Sequence, residues 1–178
     1  ADIRKNMNIK HKFDSSNERP YIIAEAGTNF RGDIKLAKAF IKQAAAAGAD
    51  AIKFQTHVPS AEMVESEMRD IGHGDLFDRM SEYALSVADH ESLADMCKNR
   101  NIDIISTPFS VEGVEILESV DISVYKIGSG ELTNHHLLAR VAETETPVIV
   151  STGMHEMKDI MTTHELLKQK NCDHIFLY

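Results

Sequence analysis

The chain has little cysteine, few prolines and no long apolar run, and each shortage removes a class of protein. Its two cysteines, Cys97 and Cys172, lie far apart with no CxxC pair. They offer no disulfide framework, and two reduced, buried thiols in a cytoplasmic protein are expected. No apolar stretch approaches the ~20 residues that cross a bilayer, and the opening ADIRKNMNIKHKF lacks the apolar core of a secretory leader. No membrane partner is expected. Basic residues are also short: 19 Lys and Arg face 28 Asp and Glu, for a formal net charge of -9. That balance argues against nucleic acid or an anionic membrane surface, since both reward a basic face. No GxGxxG and no Ser-His-Asp order is found, nor any proline-rich linker or low-complexity tract. What remains is 178 residues, 43% apolar and 26% charged, enough for one globular domain with a sizeable core.

Short β-rich runs alternate with segments of helical period, the pattern of parallel β/α units. The runs are YIIAEAG (21–27), AIKFQTH (51–57), DIISTPF (103–109), VYKIGSG (124–130), PVIVSTG (147–153) and HIFLY (174–178). After the first, Asp33 is the expected N-cap of a helix whose face carries Ile34, Ala37, Ile41, Ala44 and Ala45 and which Gly48 ends. Ser110 and Asn134 are capping candidates for later helices, with Leu93, Met96 and Cys97 forming one stripe and Val111, Val114 and Leu117 another. Met157, Ile160, Met161, His164 and Leu167 also fall at helical spacing, which predicts a sheet-facing methionine stripe with His164 packed in the core or at its boundary. Residues 58–88, with Gly72, His73 and Gly74, are expected as a loop-like insertion after the second strand, a place where long loops often carry function.

Polar residues gather at the carboxyl ends of successive strands. Glu25 ends the first, and Lys53, Gln55 and His57 alternate on one face of the second. Ser106, Thr107 and Phe109 finish the third, Lys126, Ser129 and Glu131 the fourth, and Ser151 and Thr152 the fifth. In β/α barrels that edge builds the active site. Period two opposes Lys53 and Gln55 to Ile52 and Phe54, and Lys126 to Tyr125 and Ile127, so both lysines are expected to point into the barrel mouth. Burying an ammonium is costly without an anion or several acceptors. Glu25 and Glu131 could supply carboxylates; the hydroxyls of Thr107, Ser129 and Ser151 would instead suit a bound phosphate or carboxylate. In VYKIGSGE, Gly128 and Gly130 are expected to let the backbone close around that anion.

A single strand lysine is more often a rim residue and a lone GSG a mere turn, but two such lysines beside hydroxyls favour anion binding. Glu25 and Glu131 are candidates for acid-base work or sugar recognition. His57 is the one histidine near a productive strand end, the adjacent His135 and His136 diverge on a helix, and no metal site assembles from the residues alone.

In combination, IIAEAGTNFRGD, GADAIKFQTH, ISTPFS, YKIGSGELTN and PVIVSTGM closely resemble the sialic acid synthase family, from about Tyr21 to Tyr178. The resemblance implies a TIM (β/α)8-type barrel that condenses phosphoenolpyruvate with the open-chain aldehyde of an N-acetylmannosamine-like sugar. Lys53, Thr107, Lys126, Ser129 and Ser151 match positions that hold phosphoenolpyruvate; Gln55, Phe109 and Glu131 match positions facing the sugar, and Glu25 sits near the reacting carbons. The enol carbon attacks the aldehyde, water attacks the resulting oxocarbenium-like centre, and phosphate leaves by carbon-oxygen cleavage. A divalent ion, Mn2+ or Mg2+, polarises the carbonyl. Which of Glu25 and Glu131 handles the water stays open, as does the choice among N-acetylmannosamine and the diacetamido sugars of legionaminic and pseudaminic acid.

The sequence departs from the family at Phe30, where many relatives carry histidine. A (β/α)8 barrel takes about 250 residues, so about six β/α units are expected over 21–178, after an N-terminal extension over 1–20. By resemblance the metal-binding histidines follow HIFLY and the seventh strand, so no metal ligand is assigned within this sequence. The remaining barrel strands and an antifreeze-like domain are likewise expected outside it. The complete enzyme is expected to be a homodimer and these 178 residues alone to be inactive. Two other readings compete: a Schiff-base aldolase using Lys53 or Lys126, and a non-catalytic anion-binding or assembly module.

Overall fold

Six strands form where the alternation places them: β1 (Ile23–Gly27), β2 (Ala51–Thr56), β3 (Asp103–Pro108), β4 (Val124–Ile127), β5 (Val148–Ser151) and β6 (His174–Leu177). They pair in sequence order, each parallel to the next. The structure, a computed structural model, describes residues 19–120 and 122–178. Most of the expected extension, residues 1–18, lies outside the described residues.

Helices fill the intervals for local reasons. Helix α1 (Ile34–Ala46) starts at Asp33, whose carboxylate accepts from the backbone N–H groups of Lys35 and Leu36, and buries Ala37, Ile41 and Ala44. Gly48, at φ +81°, then takes the left-handed turn that glycine adopts at no steric cost. Helix α5 (Val87–Asn99) opens on a capping box between Ser86 and Asp89. Ser110 caps α6 (Val111–Ser119) through the Gly113 N–H, and Asn134 caps α7 (His135–Glu143) through the Leu137 N–H.

Two expectations are corrected. Residues 58–88 hold three short helices, α2 (Pro59–Glu62), α3 (Glu65–Asp70) and α4 (Gly74–Tyr83), where a loop was expected. None of the residues in α3 or α4 is buried, so no long apolar stripe announces them. On α8 (Met157–Gln169) the buried positions are Ile160, Thr163 and Leu167. Met157 and Met161 are exposed, which replaces the methionine stripe with a mixed one that seats the Thr163 hydroxyl on the Leu132 carbonyl. His164 does sit at the boundary, half-buried against His174.

The two faces of the sheet divide by parity. Ile52, Phe54, Ile104, Tyr125, Ile127, Val148 and Val150 pack outward with the helices in one core. Ala51, Ile105, Val124 and Ile149, joined by Tyr21, Ile23 and Ile175, form a second cluster on the inner face. A parallel sheet in sequence order with a helical outer layer and its own inner core is the wall of a TIM-type barrel, here with six strands described.

Candidate active site

Two residues beyond the inner apolar cluster, the same face turns polar. Glu25 and Lys53 are register partners, and the Lys53 ammonium lies 2.5 Å from a Glu25 carboxylate oxygen. The register slips immediately after them, between Glu25 and Gly27, a bulge that ends β1 at the site. On β2 and β3, Gln55 stands opposite Thr107, which is buried. Both lysines therefore share the inner face, as period two requires.

Lys126 is the distinctive group. It is half-buried, and its ammonium donates to the Ser151 hydroxyl at 2.7 Å and to the Ile127 carbonyl at 2.8 Å. Burial depresses its pKa from 10.5 to about 8, with the positive charge of Lys53 adding to the shift and Glu25 opposing it. Two ammonium groups against one carboxylate leave this layer with an excess positive charge.

The GSG segment folds into a single 3-10 turn, Ser129–Glu131. The Ser129 carbonyl accepts from His155 Nε2 at 2.7 Å, which ties the turn to the segment following β5. Glu131 accepts from the Asn134 side-chain amide at 2.8 Å, so one asparagine caps α7 and holds the carboxylate. The turn itself does not draw on the conformational freedom of its glycines. Gly128 has an ordinary extended backbone (φ -65°), and a Cβ at Gly128 or Gly130 would meet nothing within 4 Å. Neither belongs to the positive-φ glycines.

Gln55 and Phe109 meet through a residue that carried no assigned role. The His57 ring stacks on Phe109 with centroids 4.3 Å apart and planes 9° apart. One of its nitrogens lies 3.3 Å from Gln55 Oε1 and the other 2.8 Å from the Glu62 carboxylate. Glu62 and His155 escaped the sequence reading because each joins the site through a segment of irregular or very short structure.

Parity also removes two strand-end residues from the site. Ser106 faces outward into a buried chain in which its hydroxyl meets Thr56 at 2.8 Å and Thr56 meets His90 Nε2 at 3.1 Å. Burial lowers the pKa of His90, and its Nδ1 donates to the Ser86 carbonyl. Thr152 is spent on the Leu177 carbonyl, to which both its N–H and its hydroxyl donate. Phe30, the position of the family departure, is buried edge-on against Phe54. Both cysteines are free and buried, with thiol pKa values pushed up to about 12 by desolvation.

Among the described residues, no three His, Cys, Asp or Glu side chains converge as metal ligands, so the site built here does not fit a divalent ion by itself. No described helix is long and apolar enough to cross a membrane.

The model of the NeuB family matches residues 40–178. The chain belongs to the NeuB family. Pseudaminic acid synthase of Campylobacter jejuni is 34% identical to this NeuB-family chain over 171 residues, 92% of the chain and 50% of that protein. N,N'-diacetyllegionaminic acid synthase of Legionella pneumophila is 32% identical over 155 residues, 83% of the chain and 44% of that protein. The chain spans about half the length of these curated relatives. Among solved structures, N-acetylneuraminic acid synthetase of Leptospira borgpetersenii superposes with a TM-score of 0.77 at 31% identity, covering 88% of this chain and 52% of that one.

Proposed function

We propose that this chain carries the phosphoenolpyruvate site of a nonulosonic acid synthase, which joins phosphoenolpyruvate to N-acetylmannosamine or a related N-acetylated mannosamine-type sugar and releases phosphate. One observation carries the reading. Among the described residues, the half-buried Lys126 ammonium has a hydroxyl and a carbonyl as partners and no carboxylate. A desolvated cation held that way is poised for an incoming anion. Lys53 stands beside it, and Thr107, Ser129 and Ser151 bring hydroxyls to the same strand ends. The names of the relatives favour pseudaminic or legionaminic precursors as much as N-acetylmannosamine.

Within this reading the two carboxylates divide the work. Glu25 is committed to Lys53, which it orients. Glu131 is held by Asn134 through one oxygen, leaving the other to accept a proton from the attacking water. The divalent ion implied by the family resemblance would take its ligands outside the described residues, and no step here is assigned to it. The same reading takes the complete enzyme as a cytoplasmic homodimer.

Calorimetric titration of phosphoenolpyruvate into the protein tests the proposal. Saturable one-to-one binding, competed by inorganic phosphate, is expected; no saturable binding would refute it. Because the depressed pKa of Lys126 also suits an amine nucleophile, the protein should be treated with pyruvate and borohydride as well. Unmodified lysines are expected, and a reduced adduct on Lys53 or Lys126 would replace the synthase with an aldolase.

A further inference from the structure

At the carboxyl end of β2, three polar side chains are tied in series. Glu62 lies in the one-turn helix α2, whose first residue, Pro59, fixes the chain direction just after His57. One Glu62 oxygen accepts from the Val58 backbone N–H at 2.6 Å and the other from His57 Nδ1 at 2.8 Å. Both side chains are nearly enclosed, at 12% exposure for His57 and 10% for Glu62. A carboxylate here only accepts, so Nδ1 carries a proton. On the far side of the ring, Nε2 lies 3.3 Å from Gln55 Oε1, and the Phe109 stack prevents the ring from turning away. An amide oxygen also only accepts, so Nε2 carries a proton too, and the ring between the two oxygens is an imidazolium. An amide that gives its oxygen to the ring has its NH2 at the opposite end. Among the described residues that NH2 has no hydrogen-bond partner.

We infer that Glu62 and His57 are positioning residues that fix the orientation of the Gln55 amide, so that the site offers an N–H donor and selects a sugar with an acceptor oxygen at that point. This rests on the proposed synthase function for the identity of the ligand. Neither Glu62 nor His57 need touch the sugar. Without the Glu62 carboxylate nothing holds the ring as the imidazolium; a neutral ring with a bare Nε2 takes the amide NH2 instead, and a C=O then replaces the N–H facing the ligand. The HVPSAE stretch is thereby explained as more than a connection: its single helical turn brings Glu62 back beneath His57.

Two measurements on the full protein decide the matter. The first is independent of any activity: long-range 15N–1H correlation on 15N-histidine-labelled protein, with His57→Asn to assign the signal. Protons on both Nδ1 and Nε2 are expected, and a bare nitrogen on either side of the ring overturns the inference. The second compares wild type with Glu62→Gln. Phosphoenolpyruvate affinity should stay within twofold, while KM for the N-acetylated sugar rises about tenfold, the effect of one hydrogen bond, and kcat changes less than twofold. An unmoved KM, or loss of phosphoenolpyruvate affinity along with it, overturns the inference. Failure of wild type to bind phosphoenolpyruvate would instead count against the proposed function, leaving the nitrogen spectrum to decide the role of Glu62.

Discussion

Two layers of side chains on one face of one sheet share their strands and almost nothing else. The lower layer is Ala51, Ile105, Val124 and Ile149, all at most 1% exposed and purely hydrocarbon. Two residues further along the same strands stand Lys53, Thr107, Lys126 and Ser151, and above Ile23 on β1 stands Glu25. Same-face neighbours on a strand are ~6.6 Å apart, so a single step of the pleat separates a closed core from a cationic, hydroxyl-lined layer. A closed core and the proposed anion site are thus stacked within each strand. The parallel arrangement makes this possible, because it sends every carboxyl end to the same rim.

Substitutions confined to one layer can break that comparison. The largest effect is expected below: Ile105→Ala should cost roughly 2–5 kcal/mol by leaving a cavity, read by urea unfolding, while phosphoenolpyruvate affinity of the folded protein stays within about threefold. In the upper layer, Lys126→Met keeps much of the volume and removes the charge. Affinity should then fall about 100-fold or more, with unfolding stability unchanged or raised, since a desolvated ammonium is itself a burden on the fold. If either variant shows the other's signature, the layers are not separate.

A smaller effect sharpens the role of charge. The folded-state pKa of Lys126 is lowered from 10.5 to about 8 by burial and by Lys53. Below about 8 the ammonium is present and ready; above it the amine is neutral, and anion binding must supply the cost of reprotonating it. Affinity should therefore weaken as pH rises through about 8, by up to about tenfold per unit. Smallest of all, Ser151→Ala removes the hydroxyl that accepts from Lys126 and should weaken binding by about threefold to tenfold, without a change in the pH at which affinity begins to fall by more than about one unit.

Much of this arrangement was legible in the sequence because it is written in period two. The alternation of Ile52, Lys53, Phe54 and Gln55 assigns both the strand and its faces, and Asp33, Ser110 and Asn134 announce their helices through short-range capping. Position at a strand end misled where period two was not carried through to the last residues, and elsewhere the governing contact was not periodic. Thr152 sits at a strand end like Ser151, yet it turns to the Leu177 carbonyl. Ser106 falls on the outward face with Thr56 and His90. Met157 and Met161 fit a helical stripe as well as Thr163 does, but the buried side is that of Ile160, Thr163 and Leu167, where the Thr163 hydroxyl finds the Leu132 carbonyl. Glu62 was invisible because its helix is one turn long and its partner lies just before that turn.

The central claim is that Lys126 is kept desolvated in order to receive an anion. Calorimetric titration of phosphoenolpyruvate at pH 8.5, in two buffers of different ionisation enthalpy, counts the protons exchanged on binding. The phosphate, with a second pKa near 6, is already fully ionised at that pH, so uptake reports on the protein. The account predicts uptake of a substantial fraction of one proton per phosphoenolpyruvate bound, vanishing as the pH is lowered to 7. Saturable binding with no proton uptake at pH 8.5 would contradict it.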